Sequence, residues 1–139
     1  MRRTLLAIAI AVVATAGISA VAEAGGKPLL IANCAKAKFE PRNVIIACGD
    51  ASLGSTGITW TSWTQNSAVG TGTGQINDCT PDCAHGTQKS APMQLSLSKP
   101  KKCSNGTRLF TKLRYTWTSG APVGPASAAV PFGCKLLGL

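Results

Sequence analysis

The chain of 139 residues carries 14 lysines and arginines against 5 aspartates and glutamates, a net charge of +9, and six cysteines. This length fits one domain with a modest core, which disulfides would help to stabilise. The few acidic residues give little basis for the carboxylate pair of a glycosidase, and the single histidine limits any hydrolytic triad to one candidate. The positive charge favours contact with anionic surfaces, although it also serves simple solubility.

The N-terminus has the pattern of a secretory signal peptide. Met1-Arg2-Arg3 precedes an apolar run from Leu5 to about Val21 and the small-residue site Ala22-Glu23-Ala24. We predict export by the general secretory route, with residues 1–24 removed and residues 25–139 forming one secreted domain. The alternative is an uncleaved membrane anchor, because the run approaches the roughly 18–20 residues that span a bilayer. No transmembrane helix is expected in the mature chain.

The start of the mature domain predicts an arm followed by two strands. Residues 25–41 are rich in lysine and alanine and form an N-terminal arm that a disulfide at Cys34 would tie down. Residues 43–48 form a β-branched run typical of a buried strand, and a Gly-Asp turn follows. Residues 58–64 alternate, so a regular strand there points Trp60 into the core and Trp63 to the opposite face.

Residues 68–76 give the clearest strand pattern in the chain. Gly70, Gly72 and Gly74 recur at every second position, so one face of the strand carries a glycine stripe. We predict that Trp60 or Trp117 lies across this stripe, because large aromatic side chains cover glycines in sheets. The alternative is a flexible linker of glycine and threonine.

The later segments predict a hairpin and an all-β fold. Residues 93–98 alternate with Met and Leu inward, and residues 107–117 place the odd-numbered leucines and aromatic residues inward. The basic segment 99–106 forms the hairpin tip, and residues 130–134 form a last edge strand or a cystine-pinned tail. Because no helix signal occurs, we predict a small antiparallel sandwich or open barrel stapled by disulfides, with its core at about residues 41–118.

The cysteines all follow the predicted signal peptide. An even number in a small exported domain indicates three disulfides. They are Cys34, Cys48, Cys79, Cys83, Cys103 and Cys134. The sequence does not fix the pairing: the turn at Pro81 favours Cys79–Cys83, and the alternative joins one of those two to Cys48.

Five short motifs lie between residues 41 and 118: Cys48-Gly-Asp50, Trp60-Thr-Ser-Trp63, Gly70-x-Gly72, Asn77-Asp-Cys-x-Pro-x-Cys-Ala-x-Gly86 and Pro92-Met-Gln-Leu95. Together they resemble the pattern of a family of small, uncharacterised exported bacterial proteins, and the Cys-x-Pro-x-Cys-Ala-x-Gly element is its most specific part. The resemblance implies export and a compact single domain. It supplies no activity, cofactor or catalytic residue, and Cys34, Cys103 and Cys134 fall outside its pattern.

The candidate site is a basic surface on the predicted hairpin. It combines three lysines at the tip with basic residues at even positions of the following strand, with Phe110 among them and Trp63 nearby: Lys99, Lys101, Lys102, Arg108, Lys112 and Arg114. Basic side chains beside an aromatic platform suit the binding of sugars, acidic polymers or single-stranded nucleic acid. We predict non-enzymatic binding of an anionic cell-surface polymer or another protein, without a specific nucleic-acid signature. The alternative is an ordinary solvated strand face.

Two other functions follow from the segment around Pro81. A secreted hydrolase would use His85 with a nearby aspartate, although no Gly-x-Ser-x-Gly element is present. A protein inhibitor would present the Cys79–Cys83 loop to its target. A zinc site at Cys79, Cys83 and His85 is disfavoured, because the spacing lacks a second pair and an oxidising compartment favours a disulfide. No metal or cofactor is expected.

Overall fold

The computed structural model describes residues 26–139, and the predicted signal peptide lies outside them. The described chain folds into eight strands and one short 3-10 helix. The elements are β1 (Leu30–Ile31), β2 (Ala37–Lys38), β3 (Val44–Ile45), β4 (Leu53–Trp63), β5 (Ala68–Asn77), β6 (Gln88–Lys102), β7 (Arg108–Trp117), β8 (Ser127–Pro131) and the helix η1 (Cys134–Leu137). The all-β prediction is confirmed. In the part of the chain that the structure describes, no helix is long and apolar enough to cross a membrane.

Strands β3 to β8 form one six-stranded antiparallel sheet in chain order. The predicted hairpin is confirmed as β6–β7, whose register runs from Met93 opposite Trp117 to Lys102 opposite Arg108. Its tip is shorter than predicted, because β6 continues through the lysines and only residues 103–107 form the turn. The last strand ends at Pro131, and the cystine-pinned residues after it form η1 rather than strand.

The sheet curls, and the N-terminal arm lies across the gap between its ends. On one side the N–H of Leu29 donates to the carbonyl of Arg108 in β7, at 2.9 Å. On the other side the N–H of Ile45 in β3 donates to the carbonyl of Ala32, at 2.7 Å. The open-barrel form of the prediction therefore describes the architecture, and the arm is part of the wall rather than a peripheral extension.

The predicted alternation of inward and outward side chains holds along β6 from Met93 to Leu97 and along β7 from Thr111 to Trp117, but it is wrong at Phe110, which is buried next to the buried Leu109. Met93, Leu95 and Leu97 of β6 and Leu113 of β7 are all at most 1% exposed. The glycine stripe of β5 is covered as predicted, by both tryptophans rather than one. A Cβ at Gly70 would lie 2.7 Å from a ring carbon of Trp60, and one at Gly74 would lie 2.4 Å from Trp117. Glycine is therefore required where the aromatic rings lie against the strand.

The predicted opposite orientation of Trp60 and Trp63 is wrong. Strand β4 shifts register against β5 twice, and the second shift, between Trp60 and Ser62, lies between the two tryptophans and reverses the alternation there. The two rings therefore lie on the same side, with centroids 4.7 Å apart. Trp63 is only 6% exposed, and its Nε1 donates to the carbonyl of Pro28 at 2.8 Å.

Three disulfides pair all of the cysteines. Cys34–Cys48 ties the N-terminal arm to the end of the segment after β3, and Cys103–Cys134 ties the β6–β7 turn to η1. The favoured Cys79–Cys83 bond closes the predicted short loop. The prediction of three disulfides is confirmed, and this pairing fits an oxidising environment.

Candidate anion-binding site

The six predicted basic residues lie on the β6–β7 hairpin without forming one cluster. Lys102 and Arg108 face each other next to the turn, Lys112 is opposite Ser98, and Arg114 is opposite Ser96. Six residues of strand separate Arg114 from Arg108, which corresponds to about 20 Å. The hairpin therefore distributes these cations along one end and one edge of the sheet.

A shallow hollow of about 510 Å³ brings three cations together next to the turn. Lys102 and Arg108 line it from the hairpin, and Lys27 lines it from the N-terminal arm. The pairing of Leu29 with β7 places Lys27 there, because it fixes the arm beside Arg108. The remaining lining residues carry no charge: Gly26, Leu29, Gly106 and Thr107. We call this feature the cationic hollow.

The structure shows the surroundings of Lys102 and Arg108 in the hollow. The Lys102 side chain extends along the turn, since a Cβ at Gly106 would meet its Cε at 4.0 Å. Arg108 donates through a guanidinium nitrogen to the side-chain oxygen of Gln65, which belongs to the β4–β5 connection. Among residues 26–139, the ion pairs involve Asp78 and Asp82, far from this turn. The charges of the hollow are therefore not neutralised by a protein carboxylate there.

Three of the other predicted cations line two further hollows, and Arg114 lines neither. Lys99 and Lys112 border a space of about 290 Å³ against β8. Lys101 borders a space of about 530 Å³ together with Lys135 of η1. Arg114 is exposed and donates to the hydroxyl of Ser127 at 3.2 Å. Of these three hollows, which share no charged residue, the cationic hollow is lined by the most cations.

The predicted aromatic platform is wrong in its residues. Trp63 and Phe110 are buried, at 6% and 1% exposure, and their ring centroids lie 5.5 Å apart in the core. Phe39 takes the outer position instead: it is 47% exposed and packs edge-on against Trp63 at 5.2 Å. The Nζ of Lys27 lies 5.6 Å from the centroid of the Phe39 ring. An exposed aromatic ring therefore adjoins the cationic hollow.

Sequence reasoning missed Lys27, Phe39 and Lys135. The first two belong to the arm, which is brought to the hairpin by backbone pairing with β7. Lys135 is brought there by the Cys103–Cys134 bond. The positive run Lys36-Ala-Lys38-Phe39 was the only sequence signal that an aromatic residue of the arm lies among cations.

The opposite end of the sheet carries the cystine loop and most of the acidic residues. Asn77 spans the loop: its Oδ1 accepts from the N–H of Cys79 at 2.8 Å, and its Nδ2 donates to the carbonyl of Cys83 at 2.9 Å. Asp78 accepts from the N–H groups of Thr87 and Thr80, which lowers the pKa of its carboxyl group. The loop is therefore held in one shape, and its role as an inhibitor loop stays a prediction.

His85 lies on the surface of this loop. Its Nδ1 is 2.8 Å and 2.9 Å from the two carboxylate oxygens of Asp82, and the hydrogen bond from His85 lowers the pKa of that carboxyl group. The side chains are 75% and 55% exposed. In the described chain, no serine or threonine hydroxyl hydrogen-bonds to the imidazole, so the pair lacks the nucleophile of a triad. The hydrolase hypothesis gains no support from this geometry.

The sulfurs of Cys79 and Cys83 lie within 4.8 Å of the Asp50 carboxylate. Because the two sulfurs are bonded to each other, the carboxylate alone remains as a strong ligand there. The zinc alternative at Cys79, Cys83 and His85 is therefore contradicted by the pairing.

A further hollow of about 240 Å³ lies beside β3 and β4. Its lining includes Asn33, Asn43 and Gln75 but no charged residue.

Comparison with known proteins adds no assignment: no family model, no curated protein and no solved structure matches this chain.

Proposed function

We propose that this chain is an exported, non-enzymatic domain that binds an anionic surface through its hairpin end. One observation carries the proposal: Lys27, Lys102 and Arg108 border one hollow whose lining includes no acidic residue. Like charges gathered in one place repel each other, so an anion entering the hollow relieves that repulsion as well as gaining its own contacts. Arginine also offers a planar pair of donors that suits phosphate, sulfate and carboxylate groups.

Two features indicate a ligand larger than a single small anion. Lys101 and Lys135 line a second hollow beside the disulfide that ties η1 to the turn, and Lys99 and Lys112 line a third along the strands, so the positive charge extends beyond the cationic hollow. Several shallow hollows on one hairpin suit repeated charges on an extended surface better than they suit one enclosed molecule. The exposed ring of Phe39 adds an apolar contact surface beside these charges.

The proposal is tested by retention on immobilised dextran sulfate at increasing salt. Charge reversal of Lys102→Glu with Arg108→Glu removes two cations of the hollow and is expected to weaken binding at least about tenfold, since each cation near an anionic surface contributes about 1 kcal/mol. The matched control is Lys36→Glu with Arg114→Glu, which makes the same change in net charge outside the hollow.

At about 0.1 M salt the control variant is expected to elute close to the wild type, because dissolved ions at that concentration screen charges that lie more than about 10 Å from the bound surface. Equal losses in the two variants would show that overall charge, rather than the hollow, governs binding. Failure of the wild-type protein to be retained at low salt would overturn the proposal.

A further inference from the structure

We infer that the anionic surface bound by the hairpin end is a lipid bilayer, and that Phe39, Leu136 and Leu139 enter its headgroup region. The inference rests on the proposed function, because it identifies which kind of anionic surface the cations meet. It arises from a separate observation, the position of the exposed apolar side chains.

In the described chain, the large hydrophobic residues that remain exposed are Phe39, Leu136 and Leu139, at 47%, 37% and 41%. All three adjoin the cations of the hairpin end. Phe39 lies under Lys27, which lines the cationic hollow. Leu139 lines the hollow of Lys101 and Lys135, and Leu136 belongs to η1, which the Cys103–Cys134 bond holds at the turn.

These apolar side chains are held by the structure rather than carried on a loose tail. The N–H of Leu136 donates to the carbonyl of Gly133 at 3.0 Å, and that of Leu139 donates to Cys134 at 3.2 Å. Gly138 has a φ of 73°, a left-handed conformation that ends η1 and turns Leu139 back toward the disulfide. Phe39 is supported from beneath by Trp63. Presenting these side chains to water costs solvation free energy that a bilayer surface would recover.

A bilayer fits this combination better than a soluble polyanion does. A soluble polyanion interacts favourably with the cations alone. At the boundary between headgroups and acyl chains, the cations interact with anionic headgroups and the Leu and Phe side chains are removed from water. Of the four acidic residues in the described chain, Asp50, Asp78 and Asp82 lie in or near the cystine loop, beyond the other end of β6, and Glu40 follows Phe39. Strand β6 has 15 residues and is therefore about 50 Å long, so the aspartate carboxylates stay away from an anionic membrane bound at the hairpin end.

The test compares three ligands: vesicles of phosphatidylglycerol, vesicles of phosphatidylcholine, and dextran sulfate beads. The apolar variant is Leu136→Ser with Leu139→Ser, and a second variant adds Phe39→Ser. The double variant avoids the contact between Phe39 and Trp63, so it remains informative if the triple variant folds poorly. Val123→Ser is the control, since this residue follows β7 at the end away from the hairpin turn.

The wild-type protein is expected to sediment with phosphatidylglycerol vesicles and much less with phosphatidylcholine. The double apolar variant should bind those vesicles about tenfold more weakly, while its retention on dextran sulfate and the vesicle binding of Val123→Ser stay unchanged. The apolar variants could bind vesicles like the wild type while Lys102→Glu with Arg108→Glu loses binding to both vesicles and beads. That result would refute the bilayer inference and leave the proposed function supported. If the wild type binds neither anionic ligand, both fail.

Discussion

Replacing Gly74 by alanine tests the packing that shapes this sheet. The new Cβ would lie 2.4 Å from Cζ3 of Trp117 and 2.5 Å from Cε of Met93. Carbon atoms in contact lie about 3.5–4.0 Å apart, so a neighbour must move by about 1 Å or more. Both neighbours are buried, at 5% and 1% exposure, and have little room to move.

The expected size follows from two opposing effects. Overpacking a core costs about 1–3 kcal/mol, and Gly→Ala returns about 0.4–1 kcal/mol by restricting the unfolded chain. The net loss should be about 1–2 kcal/mol, which for a domain of this size lowers Tm by about 5–10 °C. Thermal unfolding followed by circular dichroism measures this shift.

Two variants make the test specific. Gly133→Ala adds the same atom where nothing lies within 4 Å and should change Tm little. Trp117→Phe shortens the ring that meets the new Cβ and also removes a buried Nε1 that has no hydrogen-bond partner in the described chain. The double variant Gly74→Ala with Trp117→Phe should therefore lose less stability than the two single losses added, by about 0.5 kcal/mol or more. Strict additivity, or a wild-type Tm for Gly74→Ala alone, would refute the placement of Trp117 on the glycine stripe.

Two further predictions concern the disulfides and the cystine loop. Replacing Cys103 and Cys134 by serine opens a loop of 31 residues and should lower the free energy of unfolding by about 4 kcal/mol in the chain-entropy model. Replacing Cys79 and Cys83 opens a loop of 4 residues and should lower it by about 2 kcal/mol. Chemical denaturation of the two double variants measures both losses, and the reverse order would contradict the prediction. The pKa of Asp78 is lowered in the folded state, first by the N–H of Thr87, so its stabilising effect is present above about pH 4 and is lost as the pH falls through the folded pKa. Asp78→Asn should remove that part of the pH dependence, and melting curves of both proteins between pH 7 and pH 2 that stay parallel would contradict the assignment.

Local patterns were reliable where the strands are regular. The inward side chains of β6, and of β7 from Leu113 to Trp117, alternate with period two because the pairing from Met93 opposite Trp117 to Ser98 opposite Lys112 keeps one register. The glycine stripe of β5 was also predictable, because glycines on one face of a strand leave room for large rings, and Trp60 and Trp117 lie against Gly70 and Gly74. The pattern failed in β4, where the register shift between Trp60 and Ser62 brings Trp63 inward, and no residue type marks such an irregularity uniquely.

The candidate site was only partly predictable. The sequence identified the basic hairpin, and Lys102 and Arg108 indeed face each other beside its turn. It could not identify Lys27, because that residue is separated from Lys102 by most of the domain and reaches it only through the bridge between Leu29 and Leu109. Nor could it separate the cations that share the hollow from Arg114, since spacing along a strand gives no information about neighbours from another segment.

The sequence by itself determined the strand class, the disulfide number and the excess of positive charge, because each depends on residue type and local periodicity. Only the tertiary structure decided which cations meet, which aromatic ring remains exposed, and where the apolar residues of η1 lie. These properties depend on contacts between segments far apart in the chain, namely the arm against β7 and η1 against the hairpin turn. Such contacts are selected by the packing of the whole sheet, and no local pattern carries that information.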